Sequence, residues 1–501
     1  MLRKTGNLLF LVFVLAAILR LVGVSHGFPF IFHPDEPTII RSALGVRFSP
    51  NPAHFDWPHL YVYLNYFIYM GFAFIRGLVE NTTVGAFIAS KLPIIWNDNL
   101  IFYLLTRILT AIIGALTVYP VYLTAKRLFD EKVALLSAFT FAILPFHISQ
   151  SHRSLPDVPM IFFLSWGLYY ASVILVDKDI SHYQKSGFFA GIAASTKYNG
   201  GLSAFTVPLA HLFRILSQRI FGSTENEPII SFGGIFALVV SGVFAVIGFL
   251  LGTPYALLDY KNFLRTDGPS GALWQFVNVG SVSLGRHIGQ LWRSIVVILP
   301  DDLGYTVIIG LFLCLGLCIV RFARKKATKA DLYALFLILP AILEIYYIAG
   351  FQKFRSQYFM IMYPFAVIAF SYFVVWAFSF INKKSRAMSL LFLALCIFPP
   401  AYSSVITSYR FYRNDTRIDL YKWGQNYISS QDLVYYDNTM LKSVIDTFRG
   451  NHKKFDPDIP MLSGSLLIST NKESPVVSSA EILNINSDLR LGSSIKVYKI
   501  L

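Results

Sequence analysis

The sequence predicts an all-α polytopic membrane bundle of about eleven transmembrane helices, followed by a small C-terminal α/β domain on the extracytoplasmic side. Three observations predict it. Apolar residues make up 55% of the 501, charged residues only 14%, and the mean hydropathy is +0.56; a soluble domain carries about 25% charge, so this chain cannot cover itself with polar surface in water. Apolar runs recur along the sequence, and about 20 such residues cross a bilayer as a helix. Finally, Lys and Arg collect in every second short loop, which marks those loops as cytoplasmic.

The first run, 8–25, follows Arg3 and Lys4 and ends with Arg20 near its distal end. No small-residue cleavage motif follows it, so it reads as an uncleaved anchor with its N-terminus inside. Further spans are expected at 101–125, 133–150, 159–176, 187–197, 199–213, 231–252, 304–320, 332–349, 358–381 and 387–404. The alternate loops 1–7, 126–132, 177–186, 214–230, 321–331 and 382–386 then hold 17 Lys or Arg in total. Arg321, Arg324, Lys325, Lys326 and Lys329 form the strongest such pin.

Two segments test this parity. Residues 57–76 are apolar enough to cross, but a crossing there would put the basic loops outside. Trp57, His59, Tyr61, Tyr63, Tyr66 and Tyr69 suit a helix lying in the headgroup plane instead, within a first outer loop of 26–100. The stretch 187–216 is read as a hairpin that turns near Lys197–Gly201, because one long span would invert everything after it. The first 404 residues thus form the membrane domain. From 405 onward polar and apolar residues alternate, and Asp432–Tyr436, Ser465–Ile468 and Ser494–Ile500 read as strands.

The composition also excludes function classes. The net charge of +15 sits in anchoring loops, so it gives no nucleic-acid surface. Cys314, Cys318 and Cys396 all lie in apolar runs and build no metal site. There is no P-loop and no dinucleotide fingerprint.

With the spans placed, the unusual polar residues fall on the outer side: His33-Pro34-Asp35-Glu36-Pro37, Arg153 to Asp157, Lys197-Tyr198-Asn199-Gly200, Thr253-Pro254-Tyr255 with Asp259, and Lys353-Phe354-Arg355. Each has an ordinary reading. Asp35 and Glu36 suit a helix start, Arg153 and Asp157 an ion pair four residues apart, and Lys197 an interfacial anchor. Lys353 and Arg355 suit loop charges, one of them paired with Glu344. Their joint placement points further, since a charge at membrane depth costs about 2.5–3.5 kcal/mol unless paired. A carboxylate beside several cations suits group transfer from a phosphorylated donor. The acid takes the proton of an attacking hydroxyl, and Lys and Arg neutralise the departing phosphate. A lipid donor explains a site at membrane level without a nucleotide motif.

These stretches, with Leu19-Arg20-Leu21, Asn51-Pro52, Trp57-Pro58, Tyr363-Pro364 and Asp415-Thr416-Arg417 with Trp423, resemble the multi-spanning GT-C glycosyltransferases. Within that class the pattern is similar to the protein O-mannosyltransferases, the lipid A aminoarabinose transferases and the rhizobial galacturonosyl transferases. The resemblance implies an inverting hexosyl- or pentosyltransferase that takes its sugar from a polyprenyl phosphate on the non-cytoplasmic face of the plasma (inner) membrane. It implies that Asp35 is the catalytic base, that Glu36 and Asp157 are its acidic partners, and that Arg153, Lys197, Lys353 and Arg355 meet the donor phosphate. His33, His54, Tyr198, Asn199, Tyr255 and Glu344 would line the pocket. Some relatives are associated with a divalent metal and others are not; His33, His54, Asp35 and Asp157 carry donor atoms without a metal-type spacing. The expected partners are the lipid-linked sugar and a lipid, glycan or protein acceptor. The rival reading is a lipid-linked glycan transporter or flippase, whose usual internal repeats are not visible here. The sugar and the acceptor are not legible.

Overall fold

The computed structural model describes residues 2–80, 98–177, 179–222, 228, 231–413, 415–456, 459–471 and 478–501. The two sequons, at Asn81 and Asn414, lie outside the described residues, as does 81–97 of the first outer loop.

Helix α1 (Leu2–Leu21) is followed by two helices of the first long loop, α2 (Glu36–Gly45) and α3 (Leu60–Glu80). The stretch expected to lie in the headgroup plane forms α3. It buries Tyr61, Val62, Asn65 and Tyr69 while leaving Phe67, Phe74 and Ile75 exposed. Tyr61 and Tyr69 bond to the hydroxyls of Thr110 and Thr106 on α4 (Asp98–Leu116), which runs on into α5 (Val118–Leu128).

The next span is broken. Helices α6 (Glu131–Ala142) and α7 (Pro145–Ser151) meet at a bend of 55°. Pro145 supplies no N–H and forces Leu144 into an extended conformation, which ends α6. The freed carbonyls need a donor, and Arg20 provides it from α1. Its guanidinium, fully buried, donates to Ala142 O at 2.9 Å and Phe141 O at 3.4 Å, and lies 3.0 Å from His147 Nδ1.

Helices α8 (Asp157–Ile174) and α9 (Ile180–Thr196) follow, then a 3₁₀ segment Tyr198–Phe205, α10 (Thr206–Phe221) and α11 (Phe232–Gly252). The expected hairpin is present. Tyr183, near the start of α9, lies 2.6 Å from His211 Nδ1 on α10, so the chain has reversed between them. Helix α9 starts seven residues earlier than the 187–197 read from hydropathy, because its first two turns are polar. It packs on α11 through glycines: a Cβ at Gly187 or Gly191 would collide with the carbonyl oxygen of Ser241 or Ala245, and one at Gly248 with that of Phe188.

Between α11 and α15 (Tyr305–Ala323) the chain forms two one-turn helices, Tyr255–Leu258 and Tyr260–Phe263, then α12 (Ala272–Val279), α13 (Leu284–Arg293), a π turn Ser294–Ile298 and α14 (Leu299–Leu303). Helices α16 (Lys329–Ala349), α17 (Tyr363–Asn382) and α18 (Arg386–Tyr412) complete the bundle. Among the described residues seven helices are long and apolar enough to cross a membrane, or eight if the bent pair is one span. The shorter or more polar α1, α9 and α10 account for the difference from eleven.

The chain closes with α19 (Thr416–Tyr427) and strands β1 (Leu433–Tyr436), β2 (Asn451–Lys454), β3 (Leu466–Ser469), β4 (Ser479–Ile485) and β5 (Ile495–Ile500). They form one mixed sheet in the order β2-β1-β3-β5-β4. β1 runs parallel to β2 and β3, whereas β5 runs antiparallel to β3 and β4. One face of the sheet packs with α19 on Phe30 and Phe32, from the segment between α1 and α2. The guanidinium of Arg417 lies 3.5 Å over the Phe32 ring and is held by Asp415. The α/β domain therefore rests on the first outer loop.

Candidate active site

The site grows from two turns punctuated by proline. Asp35 is the N-cap residue of α2, with Pro37 in the first helical turn. Its backbone N–H donates to His33 Nδ1 at 3.3 Å, while its half-buried carboxylate makes no hydrogen bond among the described residues. It is therefore free to take a proton.

Glu36, one position on, is fully buried and committed. Arg107 Nε donates to Oε1 at 2.9 Å and Arg107 Nη2 to Oε2 at 2.7 Å, and Ser154 N donates to Oε1 at 2.8 Å. Burial alone pushes the Glu36 carboxyl up, but the Arg107 charge and hydrogen bonds and the Ser154 amide more than offset this and hold it below the usual carboxylate range. Arg107 also donates to the carbonyls of Val24 and His26, which fixes the segment leading to Asp35. Glu36 thus joins the first outer turn to the second.

The second turn carries Arg153 and Asp157. Pro156 is the N-cap residue of α8, and Asp157, buried, stands in its first turn, where the helix dipole favours a negative charge. Asp157 Oδ1 accepts from Lys197 Nζ; Oδ2 is buried and accepts nothing among the described residues. Lys197 ends α9, and its ammonium lies 5.9 Å from the centre of the Trp57 ring and 5.6 Å from that of Tyr358. Two aromatic faces thus hold the cation in place. Arg153, half-buried, makes no side-chain hydrogen bond or ion pair among the described residues. Burial lowers its pKa, and the nearby carboxylates of Glu36 and Asp157 oppose this. The same field reaches His33: burial lowers its pKa, Arg153 adds to that, and Glu36, Asp35 and Asp157 resist. Asp35, His33, Glu36, Arg153, Asp157 and Lys197 therefore form one electrostatic cluster.

The remaining expected site residues lie around or away from it. Tyr198 OH donates to Phe55 O at 2.8 Å, which fixes the segment that carries Trp57. His54 lies 2.5 Å from Asp56 Oδ1 and 2.9 Å from Ser42 Oγ, at the rim. Asn199 has a buried amide oxygen without a partner among the described residues. Tyr255 lies within electrostatic reach of Tyr63, and neighbouring Asp259 accepts from Asn51 Nδ2 at 2.8 Å. Lys353 and Arg355 are exposed. Lys353 covers the Trp274 ring at 5.3 Å and does not pair with Glu344. A buried oxygen of Glu344 has no partner among the described residues, and the expected ion pair is absent there. Among the described residues no three His, Cys, Asp or Glu side chains gather as metal ligands. His54 faces Asp56 and Ser42, and Asp157 faces Lys197, so the four donor-bearing residues named above do not form a set.

Residues 102–258 match the family of dolichyl-phosphate-mannose-protein mannosyltransferases. The yeast Saccharomyces cerevisiae protein of that description, number 1, is 30% identical over 164 residues, which are 31% of this chain. The match spans 18% of the yeast protein's length. The structure of ArnT from Cupriavidus metallidurans in the apo state superposes with a TM-score of 0.52, covering 99% of this chain and 98% of that one at 12% identity. The chain has the fold of the GT-C glycosyltransferases. The Archaeoglobus fulgidus oligosaccharyltransferase tethered to an acceptor peptide gives a TM-score of 0.49 at 13% identity, over 90% of this chain and 63% of that one.

Within this GT-C fold, two residues that the sequence reading passed over stand out: Arg107 and Asp56. Arg107 sits inside the apolar run 101–125. An ionisable residue at membrane depth is by default functional and has a partner, and that signal alone points to a buried acid. No comparable signal marks Asp56, which makes a local contact with His54, two residues before it.

Proposed function

We propose that this chain is a glycosyltransferase that moves a sugar from a polyprenyl phosphate to an acceptor hydroxyl on the extracytoplasmic face, with inversion. The observation that carries the reading is the half-buried Arg153, unpaired among the described residues and in one electrostatic cluster with the free carboxylate of Asp35 and the Asp157–Lys197 pair. In the reaction the acceptor oxygen attacks C1 of the donor sugar as the C1–O bond to phosphate breaks. The hydroxyl proton passes to Asp35, and the lipid phosphate leaves with the electron pair. Arg153 and the free N–H bonds of Lys197 receive its growing charge. Asp157 aims Lys197 and lowers the cost of keeping it charged away from bulk water. Glu36 and Arg107 set the distance between the two turns. Arg355 and Lys353, exposed beside Tyr358, stand where a lipid headgroup would enter.

The proposed orientation puts the N-terminus in the cytoplasm, with 1–404 as the membrane domain and 405–501 outside. The match to a mannosyltransferase family supports transfer chemistry over transport. Asp35→Asn, purified in lipid, is expected to lose at least 100-fold in transfer from a polyprenyl-phosphate sugar, the size of a general-base contribution, while keeping its melting temperature. Near-parental transfer by that variant overturns the assignment of the base.

A further inference from the structure

The α/β domain carries its own cleft, remote in sequence from the cluster at Asp35. In its sheet, β1 lies between β2 and β3, both parallel to it, so the chain leaves β1 toward one neighbour and later returns to the other. Open sheets bind ligands in the crevice at the carboxyl ends of strands where the order reverses in this way. A cleft of about 250 Å³ opens there, lined by Asp437, Asn438, Thr439, Lys454, Thr470 and Asn471. Each comes from the end of a parallel strand: 437–439 follow β1, Lys454 ends β2, and 470–471 follow β3.

The floor is already organised. Asp437 ties the ends of β1 and β3 together, accepting from Ser469 Oγ at 2.7 Å and from Thr470 N at 3.0 Å. Asn438 Nδ2 donates to Thr470 Oγ1 at 3.3 Å. Around this floor the Lys454 ammonium, the Thr439 hydroxyl and the Asn471 carboxamide make no side-chain hydrogen bond among the described residues. Among the described residues of the lining one fixed acid and one free cation cancel, and none is an apolar or aromatic side chain. A lipid tail has no surface here, and an aromatic ligand has no stacking platform. Alternating donors and acceptors around a neutral, polar-lined space fit vicinal hydroxyls, and the volume suits one sugar ring.

We propose that this cleft binds a saccharide unit of the acceptor, which makes the acceptor a glycan or glycolipid. The assignment to the acceptor rests on the transferase reading; the binding of sugar does not. Saturation-transfer NMR on the full chain in lipid nanodiscs, with free glucose, galactose, mannose and glucuronate as probes, tests the binding. The parent chain and Asp35→Asn are expected to transfer saturation to at least one of them. The double variant Lys454→Ala/Asn471→Ala, and Thr439→Trp, which fills the cleft, are expected to lose it while keeping the parental melting temperature. No transfer from the parent, or undiminished transfer from both cleft variants, overturns the site. In a transfer assay the double variant is expected to raise the acceptor KM roughly tenfold, the worth of one or two lost hydrogen bonds, with kcat unchanged. A rise in donor KM instead overturns the acceptor assignment. A chain without any transferase activity removes the proposed function and leaves the NMR result standing.

Discussion

Adjacent carboxylates at Asp35 and Glu36 have separate fates because one side chain points out of α2 and the other into the bundle. Glu36 meets Arg107 with both oxygens and is fully buried, so breaking the pair leaves an uncompensated charge. Its carboxyl is held below the ordinary value of 4.5. The sign follows from linkage: a lowered acid contributes stability that is whole above the unfolded-state pKa and is lost as pH falls through the lowered native value. The parent protein is expected to lose melting temperature as pH falls below about 4.5, beyond the loss shown by Glu36→Gln, which is already destabilised at pH 7. Parallel pH profiles for the two proteins would show that Glu36 carries no such linkage. The residue scale is also where the sequence is hardest to read. Asp35 and Asp157 are legible because proline turns and polar runs flag them. Arg107 and Asp56 take their meaning from partners 71 and two positions away, respectively, and spacing in the chain says nothing about the first.

At the scale of elements, the bilayer wrote most of the message. A stretch that must hide every backbone N–H in lipid can only be a helix, so hydropathy locates α4, α8, α11 and α15 to α17 within a few residues. It fails where protein rather than lipid surrounds the chain. Helices α9 and α10 are short and partly polar because α8, α11 and α16 cover them. The sheet shows the same rule. Strands β1, β3 and β5 are central and buried, and their apolar runs are visible. Strands β2 and β4 are the edges, exposed and without clear alternation, and no sequence signal marks them. The glycine contact between α9 and α11 gives a direct test. Gly191→Leu would thrust its side chain into the Ala245 carbonyl and separate two helices that hold Lys197 and Thr253 at their outer ends. Overpacking of this kind typically costs 1–3 kcal/mol; here the expected outcome is a lower melting temperature together with a several-fold higher donor KM. Unchanged stability and kinetics would mean that the helices part without cost.

For the whole molecule, parity decides everything. The acids and cations of the cluster come from the start of α2, the turn between α7 and α8, the start of α8 and the end of α9, while Arg321 pairs with Asp331 at the other end of the bundle. Cysteines introduced at Phe48 and Lys326, both exposed, are expected to react with an impermeant maleimide from opposite sides of the membrane. The native thiols are buried or half-buried. Labelling of both from one side would overturn the parity of the spans between Phe48 and Lys326. The α/β domain adds a second constraint, because α18 delivers it to the first outer loop. Gly23, at φ +83°, lets the chain turn directly against the backbone of Phe411 and Tyr412, where any side chain would collide.

Arg20 has a consequence for how the protein tolerates its surroundings. Bilayers differ in thickness, and a lone helix responds by tilting or by drawing its charged groups toward the headgroups. Arg20 has no such freedom: its two terminal nitrogens are committed to Ala16, Ala142, Phe141 and His147, all within the protein. Helix α1, which leads to Asp35, and α7, which leads to Arg153, are thereby riveted at one depth. A thinner or thicker membrane would tilt them as a unit, and the mouth between them would keep its width.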